Sequence, residues 1–533
     1  MPSGASGRTV VPGKTSPPGT EGSGTTGRVP APRAPRTATA GGQEAPGPGA
    51  NTSAPRPTPG RLGRRRVLTG NRWNTPRLVR GLTALCLVAL LSFAAATALV
   101  LAGARGGIDT IGHRSAPQAV RAADLYFALS DMDAQAANLL LIGADTDFAA
   151  LRKQTLDTYE QRRNQAGTDL QRAPEASAAD PAGQRAVQSV MSELGRYEAL
   201  VARSQLLEDQ AHAPAGKPAP EALETYRQAS DLLRQKILPA ADEVTAGNAA
   251  TVDRTYAAQR RDLAAGWWWL LATGLPALAA LAALQRTLTV RFRRLVNPPL
   301  AAATLVTALG LTSALILTTG AGHHLVLAKS NAYDSVIAIS RARAVAYDLN
   351  ADESRYLTDP AHAAAYEQAF LDKTQAVARV DGATLSTYNA RLAAAADAHR
   401  ADHTVVRFDG FLGTELRNIT FAGEQEAAER VLTAFQQYQL DDRKIRDLRN
   451  QGRLKDAVTF NTGASPGQSN ADFELLSTAL GDVLAVNQRA LDRAVTDADD
   501  ALGAGAAAAG GLALTAVLAL TVLGVRPRLR EYR

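Results

Sequence analysis

The chain has 533 residues, 46% of them hydrophobic and 20% charged, with 58 Lys and Arg against 51 Asp and Glu, a formal charge of +7 and a single cysteine. The lone Cys86 excludes an intramolecular disulfide, so the parts outside a membrane must hold together by packing alone. Four apolar runs make the excess of base a matter of membrane topology; it does not point to nucleic acid, for which no basic face with stacking or base-reading residues is present.

Residues 1–77 are Gly, Pro, Ser, Thr, Ala and Arg with almost no large apolar side chains, which predicts a disordered basic cytoplasmic tail. Its end, from Arg61 through Arg64, Arg65, Arg66 and Arg72, would be drawn to anionic headgroups. Residues 78–102 form the first predicted span. It begins too far from the N-terminus for a cleaved signal peptide and is as long as the ~20 residues that hydrocarbon requires. Cys86 reads there as a small apolar residue of a membrane helix.

Residues 103–265 are rich in Ala, Gln and Leu with few β-branched runs, which favours helix throughout. Leu125, Leu129, Met132, Ala136, Leu139 and Gly143 alternate spacings of four and three, the seam of a bundled helix. Breakers divide the region into helices near 115–143, 146–172, 183–211 and 221–264, the last bent at Pro239. The second span, 266–285, and the third, 300–321, flank a connector over 286–299 with Arg286, Arg291, Arg293 and Arg294 and no acid, which places the connector in the cytoplasm. Trp267, Trp268 and Trp269 lie at the opposite membrane face.

Residues 322–502 repeat the plan, with helices expected near 325–357, 361–405, 423–451 and 471–500. The fourth span, 503–525, opens with Gly503, Gly505, Gly510 and Gly511, small residues that predict close helix approach. The tail 526–533 is basic again. On this topology the segments up to Arg80, the connector and the C-terminus hold 21 Lys and Arg with three acids, and the rest of the chain holds 37 with 48 acids. The expected fold is therefore an all-α membrane protein: four transmembrane helices, two tandem extracytoplasmic four-helix-bundle domains and a disordered N-terminal tail.

An internal repeat is legible. Asp131, Met132, Asp133, Ala134 and Leu140 correspond to Asp348, Leu349, Asn350, Ala351 and Leu357 at an offset of 217. Val244, Asn248 and Asp253 correspond to Val483, Asn487 and Asp492 at an offset of 239, so the second copy carries 22 extra residues in its middle. The expected assembly is a homodimer, or a pseudo-dimer of the two copies within one chain.

Asn248 and Asn487 fall on apolar seams, where a polar residue fixes helix register at a cost in stability. Glu353 falls on the seam through Ala346, Leu349 and Tyr356; buried, it would suit an ammonium group, and a small drift in register would expose it. His399 and His403, four apart beside Asp397 and Asp402, have metal-compatible spacing without the glutamate of a zincin, and a solvated helix face is the plainer reading. His323 and His324 close the third span, where interfacial solvation accounts for them. Phe408, Phe411 and Phe421, on a stretch interrupted by Gly410, Gly413 and Gly423, form a candidate ligand or partner surface, or a loop tucked against the bundle. Away from their ends the spans hold no acid or base, which disfavours ion-coupled transport. No Walker loop, kinase signature, zincin motif or nucleophile elbow is present, so no enzyme activity, cofactor or metal site is expected.

Two spans around an outer four-helix bundle resemble the ligand-sensing half of chemoreceptors and sensor kinases, here duplicated. Arg291 to Leu300, RFRRLVNPPL, resembles the start of a HAMP linker, but a span and not a cytoplasmic coiled coil follows from Ala301. With its four spans, paired outer helical regions and scarce lysine, 8 of the 58 basic residues, the chain is similar over about residues 78–530 to actinobacterial membrane proteins that couple a glutamate/aspartate-binding lipoprotein outside to a soluble serine/threonine kinase inside. The resemblance implies a non-enzymatic signal relay with an extracytoplasmic solute-binding protein and a cytoplasmic kinase as partners. A structural scaffold of the cell envelope is the alternative.

Overall fold

The computed structural model describes residues 75–176, 181–292 and 297–530. The predicted disordered tail up to residue 74 and the connector residues Arg293 and Arg294 lie outside the described residues.

Among the described residues every regular element is a helix, and the one β-type contact is an isolated bridge between Arg379 and Asp409. The first half consists of α1 (Thr75–Ile108), α2 (Ala116–Ile142), α3 (Ala149–Ala176), α4 (Pro181–Ala211), α5 (Pro220–Leu232) and α6 (Leu238–Phe292). The second consists of α7 (Pro298–Val326), α8 (Asp334–Thr358), α9 (Ala363–Val377), α10 (Tyr388–Ala401), α11 (Gly410–Arg417), α12 (Glu424–Asn450), α13 (Leu454–Thr462), α14 (Ser469–Leu502) and α15 (Ala504–Arg530).

Four helical runs are long and apolar enough to cross a membrane, which makes this a multi-pass membrane protein. They are Arg77–Ile142, Pro220–Arg291, Pro298–Thr358 and Ser469–Pro527, of 66, 72, 61 and 59 residues. Each is about three times the length a membrane consumes, so each carries its span directly into the helical body. The runs are not uniform. π-helical turns at Asp109–Ser115 and Leu327–Tyr333 join α1 to α2 and α7 to α8, at equivalent places 218 residues apart. A third, Leu233–Ile237, joins α5 to α6 just before Pro239, which has no N–H to donate to the preceding turn. The helix passes through Pro239 without a break.

The spans pack around Cys86, Leu90, Phe93, Leu281, Leu311 and Val517. Gly266 lies against Val100, Gly274 against Leu311 and Phe93, and Gly524 against Leu300, where an added Cβ would come within 2.8 Å of a neighbour. The expectation of close approach at the start of the last span is corrected here: Gly505, Gly510 and Gly511 have no neighbour within 4 Å, and α15 packs through Val517, Gly524 and Val525 near its other end.

In the body, α2 packs along α8, and one hydrophobic core runs through both halves. Leu125, Leu129 and Met132 of α2 share it with Ile339, Ala342 and Leu349 of α8, and with Phe435 and Leu480. Phe127, Tyr347 and Phe473 meet edge to face across the seam at 5.0 and 4.8 Å. Two expected elements differ. The predicted helix 361–405 is two helices, α9 and α10, because Gly382 turns the chain at φ 65° and Arg379 pairs with Asp409. The stretch after Phe408, read as the least helical, contains α11; Gly410, at φ 82°, sits with an added Cβ only 2.6 Å from the Ala376 carbonyl, so glycine is what lets α11 start against α9.

Candidate functional site

The α2–α8 seam buries charge. Arg355 is 1% exposed, and its guanidinium pairs with Asp133 of the first half and with Asp352 and Asp348 of its own. Lys373 of α9 lies 2.7 Å from Asp348 and also pairs with Asp352. Burial alone would raise Asp348, but Lys373 and Arg355 outweigh it and hold the carboxyl at about 2. Asp133 also accepts from the hydroxyls of Tyr197 at 3.2 Å and Ser230 at 3.3 Å, and Arg355 Nε donates to the Tyr226 hydroxyl at 3.2 Å. A second cross-half pair flanks this network, with Arg227 donating Nε and Nη2 to Asp359 at 2.8 and 3.0 Å. Each buried ion costs several kcal/mol, roughly, unless its partners are in place, so the network sets the register of one half on the other.

Nearer the π-helical turns the seam opens into a cleft of about 210 Å³. Its walls come from both halves: Tyr126 of α2, Asp242 and Thr245 of α6, Ser340 and Arg341 of α8, and Phe411 of α11. Arg341 Nη2 donates to Asp242 at 3.0 Å across the cleft. The Arg341 Nε and the Ser340 hydroxyl are buried without a hydrogen-bond partner. Burial, with Asp348 and Asp242 adding to it, pushes the Tyr126 phenol well above its ordinary value, so it remains a neutral hydroxyl. A guanidinium, three hydroxyls and a carboxylate beside Phe411 suit a small polar solute, in a space below the ~300 Å³ of a drug-sized pocket.

The structure distributes the predicted site residues. Phe408 is buried in the shared core, Phe411 lines the cleft, and Phe421 packs on the smaller core beside the membrane end of the body. Glu353 is 2% exposed and far from a ligand surface in character: Asn461 donates to it at 3.3 Å, and burial, opposed by Tyr438, leaves it well above the carboxylate range. Asn487 is fully buried and donates to Glu415 Oε1 of α11 at 3.1 Å, whereas Asn248 is half-buried with its Nδ2 unpartnered. The matching positions in the repeat therefore do different work. Arg286 and Arg291, at the end of α6, are exposed.

Residues 107–257 match a family model described as an actinobacterial sensor domain. The first half is similar to a sensor domain. That stretch covers the π-helical turn after α1, all of α2 to α5 and the body portion of α6, and so includes Asp133, Tyr126 and Asp242. No curated protein and no solved structure matches the chain.

Sequence reasoning missed Arg355 and Arg341 because each lies one position off the seam through Ala342, Ala346, Leu349, Glu353 and Tyr356. The repeat carries a partial signal: DMDA on α2 and DLNADESR on α8 share one acid position, Asp131 and Asp348, while Asp133 corresponds to Asn350, and Arg355 closes the second stretch.

Proposed function

We propose that the protein is a non-enzymatic transmembrane receptor. Its helical body lies outside the cytoplasmic membrane, and its termini and the 286–299 connector face the cytoplasm. An extracytoplasmic nutrient signal, an amino acid or the solute-binding protein that carries it, acts at the cleft, and a cytoplasmic partner such as a serine/threonine kinase reads the result. The similarity of residues 107–257 to a sensor domain supports the class.

The observation that carries the reading is continuity. The cleft walls belong to the same helical runs as the spans: Tyr126 to the run from Arg77, Asp242 to the run ending at Arg291, and Arg341 to the run from Pro298. A carboxylate entering the cleft competes with Asp242 for Arg341, removing a contact that ties the halves together. Such a switch needs two arrangements with unequal ligand affinity, and couplings of this kind amount to about 1–3 kcal/mol. Helices are stiff over these lengths, so a change of spacing at the cleft reaches Arg286 and Arg291 at the inner end of α6.

The test is partner recruitment. Kinase capture from cells, with and without amino acids, should depend on ligand in the wild type and lose that dependence in Arg341→Ala and in Arg286→Gln/Arg291→Gln, with insertion unchanged. A constant set of envelope partners indifferent to solutes would replace the receptor with the scaffold reading.

A further inference from the structure

We propose that His399, His403 and Glu429 form a binding site for a divalent transition-metal ion of the zinc type in the second half of the chain. His399 is on α10, His403 lies one turn further along just past its end, and Glu429 is on α12, against which α10 packs.

The buried member sets the chemistry. His399 is 0% exposed, and its Nδ1 lies 3.2 Å from the Val405 carbonyl. A carbonyl only accepts, so Nδ1 carries the proton and Nε2 presents a lone pair. That Nε2 is buried without a partner. Leaving a buried nitrogen unmet is unfavourable, and a metal ion is the partner that a lone pair with a carbonyl-anchored opposite nitrogen is arranged to meet.

The other two donors lie beside it. His403 Nδ1 pairs with Glu429 Oε1 at 2.9 Å, the two imidazole rings are 5.5 Å apart at 79°, and one ligand atom from each of the three residues lies within 4.8 Å of the others. Tetrahedral coordination with bonds of ~2.0–2.1 Å places donors roughly 3.4 Å apart, so a separation of 4.8 Å must contract by roughly 1.4 Å. The side chains of His403 and Glu429 are 54% and 31% exposed and have the freedom to do so, while His399 stays fixed. Neighbouring groups are already engaged. Gln425 donates to Glu429 Oε1 at 2.9 Å, Arg400 is held by Asp397 and Gln436 at 2.7 Å each, and Asp402 accepts from the Thr404 N–H, bracing the turn that carries His403.

Two imidazoles and one carboxylate, with a fourth position left for water or an outside ligand, suit Zn²⁺, Co²⁺ or Ni²⁺ and not the all-oxygen shells of Ca²⁺ and Mg²⁺. The bound ion would clip the α10 turn to α12.

The full chain in detergent, purified without a histidine tag, tests this by Co²⁺ titration followed by Zn²⁺ displacement. One equivalent of Co²⁺ should give tetrahedral visible absorption that Zn²⁺ abolishes, and Zn²⁺ should raise Tm. His403→Ala and Glu429→Gln, both at partly exposed positions that leave the core intact, should weaken binding by more than the about tenfold that losing even an outer-shell partner costs. His212→Ala, at an exposed histidine of the first half, should bind as wild type. Absence of a stoichiometric Co²⁺ signal, or unchanged affinity in His403→Ala and Glu429→Gln, would overturn the site.

Discussion

Arg355 shows how much a single side chain carries in this molecule. It is the largest of the fully buried side chains, and it joins the halves by pairing Asp133 with Asp348 and Asp352. Removing it leaves Asp133 buried without a cation and leaves Asp352 and the partly buried Asp348 to Lys373. Arg355→Ala should therefore destabilise the protein by about 3–5 kcal/mol, the cost of breaking a buried pair from one side. Asp133→Asn should cost less, because the hydroxyls of Tyr197 and Ser230 still meet its side chain. The combined variant should cost less than the sum of the two, since the residues share one network. Thermal or denaturant unfolding of the purified variants measures all three. Burial of this kind could not be read at residue scale from the sequence, where Arg355 looks like any other arginine of a charged helix.

At the scale of elements, the short helix α11 and the π-helical turn at Leu327–Tyr333 act together. Asn418, following α11, donates to the carbonyls of Ser330 and Asn331 at 2.8 and 2.9 Å, meeting groups that a π-helical turn leaves without regular partners. Glu415 of the same helix is pushed up to about 7 by burial, with Glu424 adding to the shift. Asp441 of α12 is likewise pushed up to about 7 by burial and by Asp472 of α14. Both acids bind protons more tightly folded than unfolded, so their contribution is present below their ordinary values of 4.5 and 3.8 and is lost as pH rises through about 7. The shift at Glu415 alone corresponds to about 3 kcal/mol. Tm should fall between pH 5 and pH 8, Glu415→Gln should remove part of that slope, and Glu415→Gln with Asp441→Asn should remove more, the remainder belonging to other buried acids such as Glu353 and Asp124. A pH-independent Tm in the wild type would exclude this account. The sequence marked this stretch as unusual by its glycines and phenylalanines, and the helix inside it escaped notice because eight residues are too few for a periodic signal.

At the scale of the whole molecule, the two halves complete one another. Leu125, Leu129 and Met132 are covered by α8 as well as by their own bundle, and Asp133 finds its guanidinium 222 residues away. The region 103–265 made alone should therefore expose apolar surface and bind hydrophobic dyes, and co-expression with 322–502 should restore a cooperative melt. Cooperative unfolding of the first region by itself, with no gain from the second, would show that each bundle is self-sufficient.

Much of this was settled by the sequence alone. Span length, the charge-free interiors of those spans and the three-and-four spacing of apolar residues are one-dimensional properties, so four membrane helices and an all-helical body follow from them, as do the boundaries of α2, α4 and α12 to within a residue or two. What only the tertiary structure decided is partnership. Whether α2 lies on α8, whether Glu353 is sealed or exposed, and which of Arg341 and Arg355 faces a cleft or a core all depend on helix rotation and on contacts hundreds of residues apart. A helical seam defined by apolar residues tolerates either outcome, and the choice is made by buried carboxylates such as Asp133, Asp352 and Asp359, which need the arrangement that brings a cation to them.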